Sequence, residues 1–307
     1  MERLRIGLIG WGTVGSALGE LVVNGPLPLT LGCVAVRQPD RERQPALPKG
    51  VAVGAPEDAI AMDVVVELAG GLDGPRDWAR KTLDRGTPYV TANKALLAAH
   101  GGELAALAER RVAALLGSAS VGGGTPMIEV TQHLAATGAI ERIRGIVNAT
   151  TTYILSAMGE GRSYDEALRE AQAAGYAEAD PSFDVDGRDA AQKLAILASV
   201  AWGKWQPEAA VETRGIVGQG VGAGETVRLV AEATPKLMTV APVPIDAADP
   251  LARAAGIENV LEITVRDAGI FRVSGPGAGG WVTAGAVYAD LARLAAGERP
   301  IMFGTAN

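Results

Sequence analysis

Residues 4–9, LRIGLI, form a short apolar run, and Gly10-Trp11-Gly12-Thr13-Val14-Gly15 follows at once. A glycine turn of the form GxGxxG between an apolar run and a helical pattern allows few folds, because it carries a strand straight into a helix. Gly10 permits the tight turn, Gly12 leaves the backbone open to a close neighbour, and Gly15 lets helix and strand pack together. The helical pattern runs on through Leu18, Leu21 and Val22, and 29–36 reads as a second strand. Together these make a βαβ unit. Free N–H groups at the helix start attract a phosphate. A lone glycine turn can be purely structural, but one at the head of an alternating pattern predicts a dinucleotide-binding site.

The alternation continues. Residues 63–68 (DVVVEL) read as a strand buried on both faces, 76–85 as a helix, 87–91 (TPYVT) as a strand, 95–110 as a helix and 112–116 as a strand. Strands alternating with helices predict a parallel, doubly wound sheet. After Ser120 the character changes. The glycine-rich stretch VGGGTPM leads into a helix over 127–136, a strand over 140–147, and helices over 151–158, 164–174 and 190–202. Residues 261–265 and 269–274 read as strands joined at Asp267-Ala268, and 283–296 as a last helix. The glycine-rich segment 214–223 reads as a mobile linker or loop without an assigned place. The expected fold class is α/β: an N-terminal Rossmann-type doubly wound parallel sheet over 1–126 and an α+β domain over 127–281. A terminal helical segment over 282–307 returns to the first domain.

With 307 residues, the chain exceeds one small core. Hydrophobic residues at 48% and charged residues at 21% describe a globular protein. Aromatics are only 4%, so the core is expected to consist of small aliphatic side chains. A net charge of −7 argues against nucleic-acid binding. No apolar run is long enough to span a bilayer. The N-terminal strand leaves no room for a signal peptide, so a cytoplasmic enzyme is expected. The one cysteine, Cys33, lies in an apolar run and is expected to be a buried, inert thiol.

Three places carry candidate chemistry. The second strand ends at Val36-Arg37-Gln38, where an NAD site usually has an acid for the ribose 2′-hydroxyl. Arg37 stands there instead, with Arg41 and Arg43 nearby, and a guanidinium suits the 2′-phosphate of NADP; the alternative is a solvated surface arginine. Asn93-Lys94 follows a strand at the carboxyl edge, where ligands bind, but spacing equally allows a helix cap and an exposed lysine. The stretch 175–196, GYAEADPSFDVDGRDAAQKLAI, places Glu178, Asp180, Asp184, Asp186 and Asp189 ahead of Lys193. Asp189 and Lys193 are i and i+4 on one helix face. They could form only a surface salt bridge. Yet Lys193 sits on an apolar helix and is expected to be partly buried, and desolvation makes an ammonium a readier proton donor. The stretch DVDG at 184–187 fails as a calcium loop: Ser182 occupies the first ligand position and Lys193 the last. His100 and His133 have no acid–base partners beside them in sequence, and no Ser-His-Asp, Cys-His or zinc spacing occurs.

Seven segments, in order, resemble the homoserine dehydrogenase family over nearly all of the chain. They are GLIGWGTVGSAL (7–18), DVVVELAGG (63–71), VTANKALLA (90–98), ASVGGGTPMI (119–128), GIVNATTTYILSAM (145–158), AQAAGYAEADPSFDVDGRDAAQKLAILA (171–198) and GPGAGGWVTAGAVYADL (275–291). The resemblance implies interconversion of L-homoserine and L-aspartate 4-semialdehyde with NAD or NADP, in threonine and methionine biosynthesis, by a homodimer formed through the second, substrate-binding domain. It makes Lys193 the proton-transfer lysine and gives Glu178 and Asp189 to the substrate's amino group, with Asp184 in the same tract. Lys94 lies next to cofactor and substrate in that family. Gly10, Gly12, Thr13, Val14, Gly15, Ala69 and Gly277 fall at cofactor positions. Carbonyls of Val121, Gly123 and Thr125 match a sodium site whose fourth ligand is often a glutamate; here Ser118 stands in that place. In NATTTY (148–153) Ala149 replaces glycine and Thr152 replaces asparagine. Many members carry a C-terminal regulatory domain that binds an amino acid; a chain ending at Asn307 resembles a short form without one, for which feedback through such a module is not expected. Two rivals are another NAD(P)-dependent amino-acid or semialdehyde dehydrogenase and a silent nucleotide-binding regulator. A phosphorylating semialdehyde dehydrogenase needs a nucleophilic cysteine, and Cys33 is on the wrong strand. A silent regulator is expected to lose the Asp189/Lys193 pair.

Overall fold

Continuous apolar strands need cover on both faces, and helices in the connections supply it. The computed structural model describes residues 3–39, 45–256 and 258–303. In chain order come β1 (Leu4–Ile9), α1 (Thr13–Asn24), β2 (Leu29–Ala35), β3 (Ala52–Gly54), α2 (Pro56–Ile60), β4 (Val64–Glu67), α3 (Asp73–Asp84), β5 (Tyr89–Thr91), α4 (Lys94–Arg111) and β6 (Leu115–Leu116). These strands make one six-stranded sheet in the order β3-β2-β1-β4-β5-β6, parallel at every pairing. That is the doubly wound Rossmann order, with its crevice where the order reverses beside β1. Ile9 is opposite Ala35 on one side and Glu67 on the other, and Glu67 is opposite Thr91. The strands therefore end level along the carboxyl edge.

The second stretch holds α5 (Met127–Thr137), β7 (Ile140–Ile146), α6 (Ala149–Gly159), α7 (Tyr164–Ala173), α8 (Ser182–Val185), α9 (Arg188–Trp202), β8 (Val211–Thr213), β9 (Val227–Ala233), β10 (Met238–Pro244), β11 (Glu258–Val265) and β12 (Gly269–Pro276). Its strands form a mixed sheet in the order β12-β11-β7-β9-β10-β8, with only the β10–β8 pairing parallel. Helix α9 lies against β7, β8, β9 and β10 and is buried along most of its length. The final helix, α10 (Gly280–Ala295), packs on α1, and Val287, Leu291 and Leu294 share a core with Leu18 and Val22. The described residues up to Ile128 and from Ala278 form one compact unit, and Glu129–Gly277 form the other. Among the described residues no helix is long and apolar enough to cross a membrane.

Several elements differ from their sequence-based expectation. The strand expected over 112–116 is only Leu115–Leu116. Val112 instead ends α4 in the left-handed region, at φ 54°, with its side chain exposed. Strands β3, β8, β9 and β10 and helices α2 and α8 have no counterpart in the sequence pattern described above. The 214–223 segment is anchored near its start: Ile216 is buried and its N–H donates to the Val185 carbonyl at 2.8 Å.

Candidate active site

The first unit builds a cleft from its strand ends. At Gly10, φ is 108°, and a Cβ there would lie 2.8 Å from the Leu68 backbone, so only glycine suits the turn. A Cβ on Gly15 would collide with the Gly10 carbonyl oxygen, whereas one on Gly12 would meet nothing within 4 Å. The open side at Gly12 is where a ligand can reach the backbone. Gly12 is also the N-cap of α1, where no side chain caps the helix. The cleft has a volume of about 990 Å³, and Gly10, Gly12, Arg37, Gln38, Ala69 and Trp78 are among its lining residues. Thr13 is exposed at the first position of α1, with Val14 half-buried behind it. Open backbone, an uncapped helix start and a guanidinium fit a phosphate-bearing dinucleotide. Arg41 and Arg43 lie outside the described residues.

Glu67 organises the rim of this cleft. It is fully buried at the end of β4, and its Oε1 accepts from the N–H groups of Ala69 (2.7 Å) and Gly70 (2.8 Å). Its Oε2 accepts from the Thr91 hydroxyl at 2.8 Å, and that same hydroxyl oxygen accepts from the Asn93 N–H at 2.9 Å. Asn93 caps α4 by accepting from Leu96 N–H and donates through Nδ2 to the Gly71 carbonyl at 2.8 Å. Lys94 is thereby set at the first position of α4, half-buried, beside the loop that carries Ala69. Asn93 fits the helix-cap alternative of the sequence reading, while Glu67 was not singled out from sequence. The available signal was an acid inside an apolar strand, which cannot be buried without partners.

In the second unit a buried polar cluster gathers at the start of α9. Lys193 Nζ lies 2.8 Å from Asp189 Oδ2 and donates to the Val147 carbonyl at 2.6 Å. Both side chains are largely enclosed, 15% exposed for Lys193 and 7% for Asp189. Asn148 Nδ2 donates to Asp184 Oδ1 at 2.7 Å and to Asp189 Oδ2 at 2.8 Å. The Thr150 hydroxyl lies 2.6 Å from the Tyr176 carbonyl and 3.1 Å from Asp184 Oδ2. Three of the sequence candidates, Lys193, Asp189 and Asp184, are thus brought into one network. Glu178 is not: it is exposed in the loop after α7, and its carboxylate has no hydrogen bond or ion pair among the described residues. Asp180 is exposed as well, and hydrogen bonds from the Ser182 side chain and then from the Ser182 N–H lower its carboxyl from the usual range. Asn148 went unassigned from sequence, although an asparagine just before a threonine-rich helix start is the mark of a cap.

The remaining candidates have definite surroundings. Gly277 ends β12's connection, and a Cβ there would collide with the side chain of Asn259. Asn259 is buried, and neither its Oδ1 nor its Nδ2 has a partner among the described residues. In the 121–125 loop, Val121 and Thr125 are buried, Gly123 has φ 58°, and the Thr125 carbonyl accepts from Met127 N–H at 2.7 Å. The Ser118 hydroxyl donates to Asp290 Oδ1 at 2.6 Å and its N–H to Oδ2 at 3.1 Å. Among the described residues no cluster of histidine, cysteine or acidic side chains could hold a metal. Neutral carbonyl oxygens suit a hard, weakly charged cation rather than a transition metal. Cys33 is buried in β2; burial, then the charge of Asp58, push its thiol up, which is the inert behaviour expected.

The chain has clear relatives. A family model described as homoserine dehydrogenase matches residues 126–292, and one described as the NAD-binding domain of homoserine dehydrogenase matches residues 10–116. A homoserine dehydrogenase of Synechocystis is 38% identical over 95% of this chain and 73% of its own length. One of Bacillus subtilis is 32% identical over 95% of this chain and 72% of its own. Among solved structures, a homoserine dehydrogenase from Thiobacillus denitrificans superposes with a TM-score of 0.88 at 32% identity, covering 96% of this chain and 74% of that one. A hyperthermophilic archaeal homoserine dehydrogenase in complex with NADPH superposes with a TM-score of 0.86 at 28% identity, covering 97% and 99%.

Proposed function

The chain belongs to the homoserine dehydrogenase family, and on that footing we propose that it interconverts L-homoserine and L-aspartate 4-semialdehyde with NADP(H), using Lys193 as the proton donor. Members act as NAD(P)-dependent oxidoreductases on a CH–OH group, and so does this chain. The observation that carries the proposal is the fixation of Lys193. An ammonium has three N–H donors. Asp189 and the Val147 carbonyl engage two of them, and among the described residues the third has no partner.

A nicotinamide cofactor held in the cleft lined by Gly10, Gly12 and Ala69 would supply the hydride that reduces the aldehyde carbon. As charge develops on the carbonyl oxygen, the third N–H of Lys193 donates to it, and a fixed cation beside the forming alkoxide lowers the barrier. Asp189 and the Val147 carbonyl keep that ammonium aimed. We assign Glu178, Asp184 and Asp189 to the substrate's ammonium, with the unpartnered Glu178 carboxylate as the anchor to be engaged; positioning of this kind is a large part of rate enhancement. Lys94 is the second catalytic lysine. Gly10, Gly12, Thr13, Val14, Gly15, Ala69 and Gly277 hold the cofactor, and Arg37 takes the 2′-phosphate, which makes NADP preferred over NAD. Carbonyls of Val121, Gly123 and Thr125 would hold a sodium ion. We further assign a homodimer formed through the second unit, supported by β12, an edge strand whose residues are all exposed or half-buried, Ile270 and Phe271 included. The cytoplasmic setting and the place in threonine and methionine biosynthesis are part of the same proposal. The test is oxidation of NADPH by the purified protein with L-aspartate 4-semialdehyde, beside NADH and unrelated aldehydes. Equal rates with unrelated aldehydes would remove the substrate assignment.

A further inference from the structure

Asn148 does more than end a helix. Its Oδ1 accepts from the Thr151 N–H at 2.8 Å and lies 2.9 Å from the Thr151 hydroxyl, which caps α6. An N-cap needs only that acceptor, and serine, threonine and aspartate supply one equally. The two Nδ2 hydrogens are what an amide adds, and here they go to two different carboxylates, Asp184 at 2.7 Å and Asp189 at 2.8 Å. The amide cannot be turned the other way: carboxylates only accept and the Thr151 N–H only donates.

The consequence reaches Lys193. Asp189 Oδ2 is the atom that takes both Asn148 Nδ2 and Lys193 Nζ. The Val147 carbonyl, one residue before Asn148, takes the second Lys193 hydrogen. Two adjacent residues therefore fix both the ammonium and its counter-ion. Asn148 is 4% exposed, so water does not replace these bonds cheaply. Two carboxylates drawn to one place repel each other, and a neutral double donor between them offsets that repulsion without adding charge.

We propose that Asn148 is a positioning residue for the reaction: its amide couples Asp184 to Asp189 and, through Asp189, holds the Lys193 ammonium with its third N–H presented. The proposal rests on Lys193 being the proton donor, and it adds to Asp184's assignment toward the substrate ammonium a holding role through Asn148 and Thr150.

The test uses Asn148→Ser and Asn148→Thr, which keep a helix cap but lose the double donor, beside Asn148→Ala and Lys193→Met. Each full-length protein is assayed for kcat, both KM values, the solvent deuterium isotope effect on kcat, and thermal midpoint. We expect Asn148→Ser to fold with a lowered thermal midpoint, because two enclosed carboxylates lose their donor, and to keep its KM for NADPH. Its kcat should fall about 10- to 100-fold, with a larger solvent isotope effect because proton transfer becomes limiting. If the serine variant does not fold, Asn148→Thr, which also caps without the double donor and adds no charge, carries the same expectation. A purely capping role would leave kcat of Asn148→Ser within about twofold of the unaltered protein and lower only the thermal midpoint of Asn148→Ala. That result beside an inactive Lys193→Met would overturn the coupling alone. A fully active Lys193→Met would overturn both the coupling and the proton-donor assignment.

Discussion

Arg37 lies at the end of β2 in the lining of the dinucleotide cleft, where an acid would favour NAD. If it binds the 2′-phosphate, Arg37→Ala should lower the ratio of kcat/KM for NADPH over NADH by about 10- to 100-fold, the range of one or two charge-assisted hydrogen bonds. An unchanged ratio would return Arg37 to the solvated surface. At this scale the legible residues were those whose chemistry admits few substitutes. Gly10 and Gly15 stand where a Cβ meets backbone, and Asp189 and Lys193 show themselves by an i, i+4 spacing on an apolar helix. Asn148 and Glu67 were illegible for the opposite reason. Their roles lie in hydrogen bonds to segments distant in sequence, such as Asp184 and Thr91, and those leave no periodic trace. Val112 shows a different limit. A β-branched residue reads as strand, yet the helix end before it imposes a left-handed backbone, φ 54°.

Among elements, β12 carries a prediction. It is the edge of the second sheet and leaves Ile270 and Phe271 55% and 40% exposed. If a second copy covers them, Phe271→Asp should shift the protein from dimer to monomer in sedimentation, because a charge in an apolar interface goes unpaired. A chain that sediments as a monomer before any substitution would remove the dimer assignment. In the first unit β1, β2, β4, β5, α1, α3 and α4 matched their apolar pattern, whereas the short β3, α2 and β6 did not. Strand β10 did not, because Pro242 and Pro244 argue against a strand. The structure resolves the conflict. Strand β8 pairs only with Met238, Thr239 and Val240, so both prolines lie beyond it, opposite Leu229 and Val227 of β9 on one side alone.

Over the whole molecule, acid should destabilise each unit through named carboxylates. Asp63 is held below the usual carboxylate range by hydrogen bonds from the Arg5 side chain, against opposing burial, and by the Arg5 N–H and charge. For Asp249, burial pushes upward but is outweighed by hydrogen bonds from Arg144 and the Leu251 N–H and by the charges of Arg144 and Arg272. A carboxyl depressed in the folded state is protonated first in the unfolded chain. Its contribution is therefore fully present above the ordinary value of 3.8 and is lost as pH falls through the lower folded value. The urea midpoint should accordingly stay level from neutral pH to about pH 5 and drop below about pH 4; a midpoint that rises on acidification would contradict this. The fold class was readable from the glycine turn and the strand–helix alternation, whereas the dehydrogenase chemistry was readable through the ordered resemblance, since the Asp189/Lys193 pair alone also allowed a surface salt bridge. What joins these groups to substrate is best measured in one experiment: steady-state oxidation of NADPH with L-aspartate 4-semialdehyde by the unaltered protein and by Lys193→Ala. Loss of the proton donor should lower kcat by at least about 100-fold with the KM for NADPH unchanged, whereas turnover near that of the unaltered protein would show that Lys193 is not the acid.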